Sequence, residues 1–319
     1  MQGLWSACGR QFDVLVYGDN IKEEARYRAL GETDDNESDR LLMNHDTPPL
    51  IIMVAPNGAR RSKADHPALP LTPAELAATA TACLRAGAAA IHVHVRDRHN
   101  RHTLDPDAYR AAMTAIRQAV GKQLIIQVTT ESVDLFSPEE QMAAMRALKP
   151  EAVSLAVREL CPDPSHDREL GRFLEWLAKE RIMPQFIVYS SEDVVQLREL
   201  YQRGLIPFER PWQLFVLGRY TTGQVSKPAD VLSFLHVSDS KWPWAVCAFG
   251  AREHACAMAA ASLDGHVRVG FENNLHLADG RTAPDNAALV AQLAAGAEHL
   301  GRPLADAHSA REWLHGQGD

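Results

Sequence analysis

From residue 50 the chain repeats one alternation: a short, nearly continuous apolar run, then a longer segment bounded by helix start and stop signals. The apolar runs are LIIMVA (50–55), AAIHVHV (89–95), QLIIQVT (123–129), AVSLAV (152–157), QFIVYS (185–190), QLFVLG (213–218), WAVCAFG (244–250) and HVRVGF (266–271). Short runs without polar alternation mark strands covered on both faces. Between them, Thr72, Pro73 and Glu75 form a capping-box pattern, Ser137, Pro138 and Glu140 repeat it, and Asp105-Pro106 opens a third helix that closes at Gly121. A further helix follows the last run and stops at Gly301. Eight strand–helix units predict a single (β/α)8 TIM barrel filling residues 49–319. The alternative, a doubly wound open sheet, lacks its Gly-rich fingerprint: the loop after the first strand, APNGARRSKADHP, has one glycine.

Residues 1–48 break the rhythm. The stretch GETDDNESDRLLMNHD is polar and acidic, and residues 1–49 hold ten acids against five Lys or Arg. They read as an acidic, flexible N-terminal extension.

Composition then excludes several classes. The net charge is −8, with no basic patch for nucleic acid. No apolar stretch reaches the ~20 residues of a membrane span, and the N-terminus has no secretory pattern. Five scattered cysteines without a C-x-x-C pair fit a reducing cytoplasm better than a disulfide framework or a thiolate zinc cluster.

The chemistry begins in AAIHVHVRD (89–97). Side chains alternate along a strand, so His92 and His94 point the same way. Two such imidazoles are half of a metal site, or two buried histidines satisfied by carbonyls. A third donor decides between them. Barrel layers draw on alternate strands, and chemistry sits at the strands' C-terminal ends. The eighth run belongs to the same even-numbered set as the second; counting by two, Arg268, Gly270 and Glu272 share a face, with Glu272 at the mouth. His92, His94 and Glu272 form a three-ligand set with open positions, best suited to Zn2+, with Mn2+ or Fe2+ as alternatives.

The segments APNGARRSKADHPALPLTP, GAAAIHVHVRD, LIIQVTT, LGR, DGHVRVGFENN and GRPLADAHSAREWL, in unbroken order over ~50–315, resemble the β-keto acid cleavage enzymes. The resemblance implies a zinc-dependent barrel, usually a homotetramer, that converts a β-keto acid and acetyl-CoA into a new acyl-CoA and acetoacetate. It places zinc on His92, His94 and Glu272 and a catalytic arginine at Arg268. Asn273 stands where the family carries its catalytic Asp. Substrate contacts fall on Thr129 and Ser154, and on Asn57, Gly58 and Arg60 of the first loop.

Departures from the family pattern are specific. FENN replaces FEDN, so Asn273 has no usable basicity. Glu131, Asp97 and His99 are the nearby candidates to supply a base. TTES replaces STGG after the third strand, and Ala156 and Arg158 replace an Asn-Gly after the fourth. Ile187 replaces a fifth-strand Glu, and Arg60 stands where a Glu can bind an amino-bearing substrate. These exchanges point to an anionic or apolar substrate. The basic loop ARRSKAD (59–65) is a candidate grip for CoA phosphates. Two other readings of the same ligands stay open: a metal-dependent lyase or hydrolase that does not use CoA, and a metal-holding barrel that binds a metabolite without turnover.

Overall fold

The computed structural model describes residues 47–315. The acidic extension expected at 1–48 therefore lies, but for its last two residues, outside the described part. Eight parallel strands close a barrel: β1 (Ile52–Val54), β2 (Ala90–Val93), β5 (Ile125–Thr129), β6 (Ala152–Ala156), β7 (Met183–Val188), β8 (Trp212–Leu217), β9 (Trp244–Ala248) and β10 (His266–Val269). Their order around the barrel is β1-β10-β9-β8-β7-β6-β5-β2. Closure is made by β1 pairing with β10, Met53 opposite Arg268. The (β/α)8 barrel read from the sequence is the fold observed.

The helix signals act as read. Thr72 and Ser137 each close a capping box on α1 (Pro73–Arg85) and α3 (Pro138–Leu148), and Asp105 caps α2 (Pro106–Val120). One addition was not foreseen. Two short strands, β3 (Val95–Arg96) and β4 (His102–Thr103), form an antiparallel hairpin straight after β2. It anchors the first loop, because Arg96 donates to the carbonyls of Gly58 and Arg61.

The barrel interior is layered. At the N-terminal end Met53, Ala90, Ile125, Ala152, Met183 and Trp212 pack together, with Ala310 and Leu314 of the last helix (Ala307–His315) closing the bottom. Toward the other end lie Ile187, Leu214, Val216, Ala245 and Phe249. Between these apolar layers Gln127, Gln185, His92 and Arg268 are buried. Buried polar groups persist only when paired, and their partners define the site.

Candidate active site

His92 lies in β2 and His94 one residue beyond it, with their Nε2 atoms 3.0 Å apart. Each is 1% exposed. Glu272 Oε2 stands 3.6 Å from His92 Nε2 and 3.4 Å from His94 Nε2. Donor atoms of the three residues all lie within 4.8 Å of one another. Glu272 Oε2 is buried without a hydrogen-bond partner among the described residues, so three lone-pair donors converge on one point. That arrangement fits a divalent cation held by two imidazoles and a carboxylate.

Glu272 reaches the site differently from the strand alternation expected for it. β10 ends at Val269, and Gly270 takes φ +140, where an added Cβ would come within 2.4 Å of the Ala55 carbonyl oxygen. The chain turns there, and Glu272 swings back over the barrel mouth, with its Oε1 accepting from Arg268 at 2.8 Å. Burial alone would raise the Glu272 carboxyl, but Arg268 and the two histidines outweigh it and hold the group well below its usual range. Burial, then Arg268, keeps His92 well below its usual value and so neutral, as a metal ligand must be.

Outer contacts fix the ligands. Gln127 Oε1 lies 2.8 Å from His92 Nδ1, and Gln127 Nε2 donates to Gln185 Oε1 at 3.0 Å. A carbonyl oxygen only accepts, so Nδ1 carries the hydrogen and the Nε2 lone pair is left to face the point where a cation would sit. Asn57 holds the His94 backbone from both sides: Nδ2 donates to its carbonyl at 2.9 Å, and Oδ1 accepts its N–H at 3.3 Å.

A cavity of about 250 Å³ opens above these groups, lined by Asn57, Gly58, Arg60, His92, Thr129, Arg268 and Glu272. Arg61, Glu131, Ile187, Tyr189, Val216, Arg219 and Phe249 also line it. Ser154 sits behind the wall, fully buried, its Oγ donating to Thr129 Oγ1 at 3.3 Å. Thr129 Oγ1 in turn accepts the Glu131 N–H at 2.9 Å. Asn273 is also fully buried and does not line the cavity. Its side-chain oxygen and nitrogen have no partner among the described residues, while its carbonyl accepts from Arg61 and Gly250.

Of the three candidate bases, Glu131 alone lines the cavity, with Oε2 3.8 Å from His94 Nε2. Asp97 accepts from His99 N and Arg101, and His99 is exposed. The sequence reading passed over Arg219, which follows β8, and Gln127. Arg219 ends the LGR segment, but nothing in one chain says that its arginine turns inward. In the basic loop, Lys63 pairs with Glu75 at 2.7 Å and Asp65 with the Ser62 backbone, leaving Arg60 and Arg61 toward the cavity.

A closed parallel barrel that gathers two histidines, a glutamate and an arginine at its C-terminal mouth has the layout of a (β/α)8 enzyme. The chain belongs to the beta-keto acid cleavage enzyme family, whose model matches residues 49–315. It is 32% identical over 278 residues to a 3-oxoadipate:acetyl-CoA acetyltransferase of Cupriavidus necator, covering 84% of this chain and 95% of that protein. To a 3-keto-5-aminohexanoate cleavage enzyme of Acetoanaerobium sticklandii it is 29% identical over 270 residues, covering 83% and 97%. Among solved structures, a ternary complex of ObcA with C4-CoA adduct and oxalate superposes with a TM-score of 0.63 at 16% identity, covering 78% of this chain and 67% of that one. That likeness concerns the fold alone.

Proposed function

We propose that the chain is a zinc-dependent acyltransferase that takes a β-keto acid and acetyl-CoA to a new acyl-CoA and acetoacetate. The observation that carries this reading is the convergence of His92 Nε2, His94 Nε2 and Glu272 Oε2, with Arg268 bonded to the same carboxylate, at the mouth of a barrel of this family. His92, His94 and Glu272 would hold the ion. When bound, zinc supplies Lewis acidity toward the keto oxygen, which makes the C2 proton removable.

The protein's own groups divide the remaining work. Asn273 cannot take that proton, because an amide is not basic at neutral pH and its side chain is walled off from the cavity. Glu131 faces the cavity beside His94, and we assign it the proton. C2 then bonds to the acetyl carbonyl carbon, releasing CoA thiolate. The thiolate adds to the original keto carbon, and the C2–C3 bond breaks. The acyl group leaves on CoA, and acetoacetate takes back the proton. Arg268, buried and permanently charged, offsets carboxylate charge on this path. The names of the relatives place an acidic tail and an amino tail on one scaffold, so tail choice rests on the cavity lining.

The proposal includes a cytoplasmic setting and a homotetramer. The four described cysteines are buried and free, in keeping with a reducing compartment, and light scattering tests the assembly. The reaction is tested by giving zinc-loaded protein acetyl-CoA and a panel of β-keto acids, then following new acyl-CoA and acetoacetate by mass spectrometry. Products that vanish in His92→Ala support it. Turnover without acetyl-CoA would mean a lyase or hydrolase, and stoichiometric zinc without turnover a binding barrel.

A further inference from the structure

One charged group in the cavity has no part in that chemistry. Arg219 is 16% exposed, lies with its guanidinium 4.9 Å from the Phe249 ring centroid, and faces Glu131 at 3.7 Å. That separation is too long for a hydrogen bond. Among the described residues the Arg219 guanidinium donates none, although it carries five N–H groups and lines the cavity. A half-buried guanidinium that faces a cavity, with a carboxylate beside it but no hydrogen bond among the described residues, keeps its fork of donors free for an incoming anion.

Its position says which anion. The Glu131 carboxylate faces Arg219 with one oxygen, at 3.7 Å, and His94 with the other, at 3.8 Å. Arg219 and His94 thus stand on opposite sides of one carboxylate, across a gap that a short chain can bridge. Ile187, Val216 and Phe249 supply apolar wall in the same cavity. We infer that the β-keto acid taken by this enzyme carries a second carboxylate at the end of a short methylene chain, and that Arg219 receives it.

This inference rests on the proposed reaction and narrows its substrate class. An amino-bearing tail would meet Arg219 with Arg60 and Arg61 in the same lining. A purely apolar tail would displace water from the Arg219 donors and give them nothing in return. CoA phosphates offer the same charge, but the pantetheine arm holds them far from the thioester, whereas Arg219 lies beside Glu131, the group assigned the C2 proton.

The test compares 3-oxoadipate with 3-oxohexanoate, two keto acids of equal chain length that differ in the second carboxylate. Wild type should prefer the dicarboxylate in kcat/KM. Arg219→Ala should lower that preference by about 10- to 100-fold, the worth of a hydrogen-bonded charge pair. The change should fall mainly on the keto acid's KM, with the KM of acetyl-CoA unmoved, and Arg219→Lys should restore part of it. Because Glu131 serves both substrates alike, the ratio isolates the tail. Arg219→Gln takes the place of the alanine variant should thermal melts show that the latter does not fold. A wild-type preference for the monocarboxylate, an unchanged ratio in a folded variant, or a shift in the acetyl-CoA KM instead, would overturn the inference. If neither keto acid gives acyl-CoA, the proposed reaction fails, and calorimetry of 3-oxoadipate on zinc-loaded protein still decides. Binding lost in the Arg219 variant supports the inference; equal or absent binding in both proteins overturns it.

Discussion

Gly58 lies against Glu272 so closely that a Cβ on the glycine would stand 2.6 Å from the glutamate Cγ. Gly58 also has φ +60, a conformation that side-chain-bearing residues adopt at a cost of about 1 kcal/mol or more. The first loop thus leaves Glu272 its place beside the histidines only because residue 58 has no side chain. Gly58→Ala is expected to push Glu272 out of line and weaken zinc binding at least about tenfold, of the order seen for lost ligand support. Competition with a chelating dye measures this. Unaltered affinity in a folded variant would show that Gly58 does not set the position of Glu272.

Gln127 fixes the His92 ring through Nδ1 and is itself fixed by Gln185. Gln127→Leu keeps the volume but frees the imidazole to rotate or change tautomer. Zinc affinity is expected to drop about 10- to 100-fold, with the far-ultraviolet circular dichroism unchanged. Affinity equal to wild type would mean that the packing of β2 alone orients the ring.

Stripping the proposed metal should leave two imidazoles and a carboxylate around an empty point. Any ligand that binds the folded chain alone stabilises it by mass action, about 2.7 kcal/mol at a hundredfold excess over Kd. Chelator-treated protein is therefore expected to melt several degrees lower than zinc-loaded protein, and His92→Ala should show no such difference.

Glu131→Gln should reduce kcat by about 10²- to 10⁴-fold if the carboxylate takes the C2 proton. Proton nuclear magnetic resonance in deuterated water gives a second readout. Wild type with zinc should exchange the C2 hydrogens of a β-keto acid faster than solvent does, and the variant should not. Equal exchange in both proteins would move the proton to another acceptor.

Glu253, 1% exposed, accepts from the Gly270 N–H at 3.1 Å and from Asn274 Nδ2 at 3.2 Å. Burial raises its carboxyl to about 8, against an ordinary value of 4.5. The folded chain thus holds this proton more tightly than the unfolded chain does. The stability it contributes is full below about 4.5 and is lost as pH rises toward about 8. Glu253→Gln should be progressively more stable relative to wild type as pH climbs through that window. Parallel melting curves across it would contradict the shift.

Periodicity carried the barrel because strands covered on both faces leave continuous apolar runs, and capping residues announce helix starts at fixed offsets. The histidine pair was legible for a similar reason, since i and i+2 on a strand must share a face. Glu272 was found by extending that alternation, but it arrives by another route: Gly270 ends β10 against Ala55, and the glutamate comes back from a turn. Arg219 and the β3–β4 hairpin were not legible. Both follow from tertiary placement, and neither leaves a periodic trace. Asn57 was assigned to substrate, and it does line the cavity. Its amide, however, is occupied with the His94 backbone and the Pro70 carbonyl, a use no spacing rule reveals.

The pairing of β1 with β10 has a consequence for how the protein comes into being. The two histidines leave the ribosome long before Glu272, and nothing holds Glu272 over them until Val54 lies beside Val269 and the ring of strands is complete. A three-donor pocket therefore cannot exist on a nascent or half-assembled chain; contacts so distant along the sequence are among the slow ones to form. Tight capture of the proposed ion would then be a timestamp: it would date the moment when the last strand locks against the first.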